Sequence, residues 1–481
     1  VVKVVSQKKE SFMKLKNLRF SLFIIAVIAS SLHGKNAVAE SMHTVKNQDL
    51  IRVIDPSSQN NNITKTSVMK EWTFMVYIAA DNDLNRFSTR NLEDMSKVGS
   101  NKNLNIVAHL DKQGSTEKTK RLYVEKDKLV QVNYGQPSSF QKLDSGCETT
   151  LIDFCEWTIL NYPAKHYALV LWNHGSGISD NVAGRLVNSS ELFVFNPLTN
   201  MLELDRSITF FDFAHKKEKE HRGVCFSDTY NSFLTNQKLE FALKSVQQNG
   251  LKGKKFDIIG YDACLMAMTE VADLISPYAD IAVFSQEVEL GAGWKYDEVL
   301  RPFNYSVPTP EQFAVHIVAA FNTAYQSITQ DYTFSAVSLS KFTALERTLD
   351  SLSGTLIEML KYQQGTSLLN IIRAARSKNY CTHFSQPTYI DLDHFLANLF
   401  DTLNYATLTP EKEYLKSNLR SLIDTARLNL AQCVLAHVEG RNLARARGLS
   451  IYYPARFVDS TYTITPFARK NRWLNLISMA I

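Results

Sequence analysis

Six cysteines in 481 residues are too few for a disulfide-built scaffold, and no C-x-x-C pair or Cys/His cluster suggests zinc. Which of the six pair, if any, stays open: Cys147 with Cys155 and Cys381 with Cys433 are the candidates. No G-x-S-x-G elbow occurs, which weighs against a serine hydrolase built on a nucleophile elbow. There is no internal repeat, and beyond the N-terminal region no low-complexity tract. No apolar run past residue 39 is long enough to span a bilayer. Excess charge is lacking too. The chain holds 53 Lys and Arg against 48 Asp and Glu, but seven basic residues and one acidic residue fall within 1–39. What remains is 46 against 47, which offers nothing to nucleic acid or to an anionic membrane.

The basic excess has its own reading. Met13 to Arg19 is a positive stretch, Phe20 to Leu32 is an apolar segment of signal-peptide length, and Ala37-Val38-Ala39 is a small-residue cleavage pattern. The expectation is a signal peptide over 1–39, cut before Glu40, with Met13 a candidate true start. An uncleaved amphipathic anchor is the alternative. No Cys lies near the cleavage site, so lipid modification there is not expected. The exported product would be periplasmic or extracellular, with no stable membrane insertion after cleavage. Residues 40–71 are polar and Asn-rich and read as a flexible lead-in or propeptide.

The folded part opens at Trp72. Residues 72–80, 103–111, 167–172, 256–261 and 281–287 are apolar, β-branched and aromatic runs of strand length. Helical patterns at 149–161, 236–249 and 265–275 separate several of them. Strands alternating with helices predict an α/β fold with a mostly parallel, doubly wound sheet. Further helices are expected at 310–328 and 341–363, and over 392–437, with strands at 332–340 and 446–454. This divides the chain into a core over 72–305 and a C-terminal part of the same sheet with helical additions over 306–481. Residues 178–224 interrupt the core with mixed charge and the run HKKEKEHR at 215–222. Such an excursion reads as a solvated loop and as a natural proteolytic processing site.

Two strands end on reactive side chains. YALVLWNHGSG (167–177) stops at His174, and FDIIGYDACLMAM (256–268) stops at Cys264. Ligands of open α/β sheets bind beyond the carboxyl ends of the strands. A His and a Cys at that edge are the material of a thiol nucleophile with a proton-transfer partner. Alone, Cys264 would read as a core cysteine and His174 as a structural hydrogen bonder. Asp262 reads as a helix cap or a substrate contact, Asp81 and Asp83 as caps or cation ligands, Trp172 as packing, and Trp294 as packing or a pocket wall.

The segments WTFMVYIAADNDL, LVLWNHGSG, RGVCFSDT, FDIIGYDACLMAMTEVA, GAGWKYDEVL, YIDLDHF and ARGLSIYYP, in that order, resemble the clostripain-like cysteine peptidases. That family shares a clan with caspases, legumains and gingipains. The resemblance implies a caspase-like three-layer α/β/α sandwich and a secreted endopeptidase acting on protein or peptide substrates. It casts Cys264 as nucleophile, His174 as catalytic histidine, and the N–H groups of Gly175 and Cys264 as the oxyanion site. It also implies self-cleavage between the His and Cys strands, and in some members calcium; no metal ligand set is expected from the residues themselves. Family members often carry G-D-G-W where this chain has Gly291-Ala292-Gly293-Trp294. That Asp helps hold an Arg or Lys before the scissile bond. Asp262 remains and, by the resemblance, faces the same pocket. With Ala292 in place of the acid, a weaker or shifted preference is expected. An α/β-hydrolase-type esterase, and an inactive secreted binding protein on the same fold, are the alternative functions.

Overall fold

The computed structural model describes residues 51–54 (backbone only), 69–132, 141–178, 192–206, 223–361, 365–403 and 413–481. The expected signal peptide, most of the lead-in and most of the 178–224 loop lie outside the described residues.

Ten strands form the central sheet: β1 Ile51–Ile54, β2 Lys70–Ala80, β3 Leu104–Lys112, β4 Lys120–Glu125, β5 Lys128–Val132, β6 Ala164–Trp172, β7 Phe256–Asp262, β8 Ala279–Phe284, β9 Thr333–Ser338 and β10 Val434–Glu439. Their spatial order is β1-β5-β4-β3-β2-β6-β7-β8-β9-β10. The central run β3-β2-β6-β7-β8 is parallel throughout. β9 and β10 extend it antiparallel at one side, and the β4–β5 hairpin extends it at the other.

Alternation along the strands builds two cores. Met75, Tyr77, Leu169, Leu171, Ile259 and Tyr261 join one; Phe74, Val76, Ile78, Val170, Trp172 and Ile258 join the other. A strand buried on both faces has no polar side to show, hence the unbroken apolar runs in the sequence. Helices Glu148–Asn161, Asn236–Ser245, Thr269–Ile275 and Leu339–Leu360 cover the first face. Asn85–Val98 and Pro310–Tyr325 cover the second. The architecture is therefore the expected three-layer α/β/α sandwich.

Three local expectations change. The helix after β7 begins at Thr269, not at Leu265. The backbone N–H groups of Leu265 and Ala267 instead donate to the carbonyls of Glu287 and Ser285, which tie this stretch to the segment leaving β8. Residues 434–437, the end of the expected helical region, belong instead to β10, Val434–Glu439. The strand near 446–454 shortens to Ser450–Tyr452 and pairs with Tyr389–Asp391 outside the main sheet. None of the six cysteines is in a disulfide, and five of them are buried.

The helix Thr269–Ile275 is anchored by a buried acid. Glu270 is fully buried and accepts the Tyr452 N–H and the Tyr462 hydroxyl, each at 3.0 Å. Burial pushes its carboxyl up to about 7, the hydrogen bonds opposing. The native state therefore keeps this proton to near pH 7, while the unfolded chain releases it near the ordinary carboxylate value. Its stabilising contribution is complete below that ordinary value and is lost as the pH rises through 7. Glu270→Gln keeps an oxygen acceptor and removes the charge. It is expected to raise the Tm at pH 8 by roughly 2–5 °C relative to wild type and to leave it nearly unchanged at pH 4.5. Thermal unfolding at the two pH values checks this; equal shifts at both would refute it.

Candidate active site at the carboxyl edge of the sheet

Neighbouring strands β6 and β7 set the site. Trp172 lies level with Asp262 in their parallel register. His174 and Cys264 each follow two residues later, so both emerge at the same height on the same edge. The two exits touch: a Cβ on Gly175 would stand 2.5 Å from the Cys264 carbonyl oxygen, so only glycine permits this approach. Leu265 takes a positive φ of 64°, which turns the chain sharply just past the cysteine.

Cys264 is 3% exposed. Its sulfur receives the Glu289 backbone N–H at 3.2 Å, a bond that supports an anion, and the thiol donates to the Glu289 carbonyl at 3.8 Å, a bond that supports the neutral form. A helix N-terminus does not supply that help, because the next helix starts five residues on.

His174 is 4% exposed, and its Nε2 lies 2.7 Å from Asp83 Oδ1. Its Nδ1 is buried without a hydrogen-bond partner. The loop around it is clamped. Asn173 Nδ2 donates to the carbonyls of Ala79 and Phe226, and Asn173 Oδ1 accepts the Phe226 N–H at 3.0 Å. Gly175 bridges Val224, and the Gly223 N–H donates to Ser176 Oγ at 2.9 Å. The segment returning from the 178–224 insertion is thus built onto the histidine loop.

Asp83 reads in the sequence as a cap or a cation ligand, and the structure gives it to the histidine. Asp81 meets a lysine instead: Lys142 Nζ is 3.3 Å away, and Ser227, the Thr229 hydroxyl and the Thr229 N–H complete its shell. Among the described residues no three His, Cys, Asp or Glu side chains are grouped to hold a metal ion.

Asp262 is 5% exposed beneath the 291–294 turn. Its Oδ2 accepts the Trp294 N–H at 3.1 Å and the Tyr296 hydroxyl at 2.8 Å. Gly293 has φ 63°, and a Cβ there would strike the Asp262 carboxylate at 2.6 Å. Ala292 brings only a methyl group; its carbonyl accepts from Asn91 Nδ2 at 3.1 Å. The Trp294 ring is 1% exposed and packs edge-on against Phe334, so it belongs to the second core. A residue the sequence did not single out joins Asp262. Glu289 is 4% exposed; its carboxyl sits against that of Asp262, with a hydrogen bond between the two, and against the Ala263 N–H. Burial raises both carboxyls, and for Glu289 repulsion by Asp262 adds to it. No Lys or Arg is among the groups that offset either shift.

The Clostripain family model matches residues 76–213 and 212–455, well over half of the 481. This chain belongs to the clostripain family. Membership makes it a cysteine endopeptidase whose substrates are proteins. Clostripain of Hathewaya histolytica is 22% identical over 516 residues, covering 95% of this chain and 89% of that protein. Two solved structures share the fold. A secreted C11 cysteine protease from Bacteroides thetaiotaomicron, in complex with an irreversible peptide inhibitor, has a TM-score of 0.54 at 16% identity, covering 85% of this chain and 99% of that one. An inactive zymogen C11 protease from Parabacteroides distasonis has a TM-score of 0.55 at 19% identity, covering 84% and 98%. As a clostripain-family sandwich, the chain carries His174 and Cys264 on adjacent strands of the parallel run, beside the β2–β6 junction where the strand order reverses. That is where an open α/β sheet places its ligand crevice.

Proposed function

We propose that this clostripain-family protein is an exported cysteine endopeptidase that works through a Cys264/His174 dyad and prefers a basic residue before the scissile bond. The shared exit height of the two side chains from β6 and β7 is the observation that carries the dyad. In the reaction, His174 takes the proton of the Cys264 thiol, the sulfur bonds to the peptide carbonyl carbon, and the carbonyl π electrons move to oxygen. The N–H groups of Gly175 and Cys264 would receive that oxyanion. Collapse breaks the C–N bond, and His174 protonates the departing amine. Water, giving its proton to His174, then splits the thioester and frees the sulfur.

The preference for a cation rests on the carboxyl pair. Asp262 and Glu289 are both buried, and among the described residues no Lys or Arg is one of the groups that lower either carboxyl. Two carboxyl groups so placed are costly to ionise together, and an incoming ammonium or guanidinium lowers that cost. Glu289 thereby takes the part that Ala292 cannot.

Export is supported by the Ala37-Val38-Ala39 pattern after an apolar segment and by the secreted family member from Bacteroides thetaiotaomicron. Among the described residues no helix is long and apolar enough to cross a membrane. Self-processing in the 178–224 loop is part of the same proposal. Comparison of wild type with the Cys264→Ala variant by gel and terminal sequencing tests it: a cut within 178–224 only in the wild type is expected. The activity itself is tested with casein. Hydrolysis stopped by a thiol-directed inhibitor supports a cysteine peptidase; ester cleavage stopped by a serine-directed reagent, or no turnover, refutes it.

A further inference from the structure

Three adjacent strands each deliver one polar group to the crevice. β2 brings Asp83, β6 brings His174 and β7 brings Cys264, in that spatial order. The histidine stands between the other two. We infer that Asp83 is a positioning residue: it fixes the orientation and tautomer of His174 and so turns the dyad into a relay of three groups. This rests on His174 acting as set out above.

The chemistry is directional. An ionised carboxylate can only accept, so at 2.7 Å from Asp83 Oδ1 the imidazole Nε2 must carry the hydrogen. That leaves Nδ1 as the nitrogen that exchanges protons during the reaction. It is buried and makes no hydrogen bond. The two residues before Asp83 fix the turn that carries it. Asn82 Oδ1 accepts the Leu84 N–H at 3.0 Å and closes the turn. Asn82 Nδ2 donates to the Ala79 carbonyl at 3.0 Å and to the Phe226 carbonyl at 2.9 Å. Asp81 is tied to Ser227, Thr229 and Lys142. Both residues before Asp83 are thus spent on rigidifying the turn, and Asp83 is the one directed at the ring. A group oriented this way loses little freedom at the moment of proton transfer.

Asparagine at 83 can present its amide N–H₂ to Nε2, which would move the hydrogen to Nδ1 and leave the wrong tautomer for accepting a proton. Asp83→Asn, Asp83→Glu and His174→Ala are compared with wild type in the full chain on a fluorogenic lysyl peptide. Asp83→Asn is expected to lower kcat at least tenfold with KM within about twofold of wild type, and Asp83→Glu to recover part of the loss. If Asp83→Asn keeps kcat within twofold while His174→Ala is inactive, the inference fails and the dyad stands. If His174→Ala stays active, the dyad itself fails. A measurement independent of stability completes the test. Long-range ¹⁵N–¹H spectra of histidine-labelled protein should show His174 Nε2 protonated in wild type, with the hydrogen moved to Nδ1 in Asp83→Asn. A bare Nε2 in the wild type would overturn the inference.

Discussion

Cys264→Ala is expected to cut peptide hydrolysis at least 10³-fold while leaving the Tm within about 2 °C of wild type. The sulfur is the only heavy atom removed, and it accepts the Glu289 N–H and donates to the Glu289 carbonyl, both backbone groups. The buried neighbours Ala263, Leu265 and Met266 keep the loop packed without it. A general base acting on water would survive the change, since His174 remains; a covalent mechanism would not. Steady-state assays on casein and on a lysyl peptide, beside a thermal melt, separate chemistry from folding. Residual activity above a tenth of wild type would exclude the thiol as nucleophile.

The second large effect concerns selectivity. Glu289→Gln keeps the size of the side chain and removes its charge. Peptides with Lys or Arg before the cut are expected to lose 10- to 100-fold in kcat/KM, about 1.4–2.8 kcal/mol. Peptides with norleucine there should be unaffected or improved, because the neutral pocket costs less to fill. Asp262→Asn should act in the same direction, with an added loss from the weakened Trp294 and Tyr296 contacts. The ratio of lysyl to norleucyl turnover is the readout. An unchanged ratio in Glu289→Gln would mean that the carboxyl pair does not read the substrate. Efficient cleavage after norleucine by wild type would say the same.

Much of the sheet is visible in the chain because β2, β6 and β7 are buried on both faces, and such strands leave continuous apolar runs. The exit of His174 and Cys264 at one edge follows from those runs alone. Other features depend on partners distant in sequence. The stretch Leu265 to Met268 suits a helix by composition, yet two of its N–H groups are taken by the chain at Ser285 and Glu287. Helix Glu413–Cys433 passes directly into β10 with no glycine or proline between, so periodicity carries the helical reading too far. Asp83 and Asp81 look alike in sequence, and the turn sends one to an imidazole and the other to a lysine. Glu289 gave no signal, because the part proposed for it depends on lying beside Asp262, twenty-seven residues earlier. The loss of the acid at Ala292 was legible, and the compensation proposed through Glu289 was not.

The identity of the nucleophile is tested most directly by mass-spectrometric mapping after reaction with an irreversible peptide inhibitor carrying a lysine beside its electrophile. One adduct per chain, on the Cys264 sulfur, absent in Cys264→Ala and strongly slowed in Glu289→Gln, is the expected result. An adduct on Cys147 or Cys225, or full proteolysis by a chain that takes up no label, would contradict it.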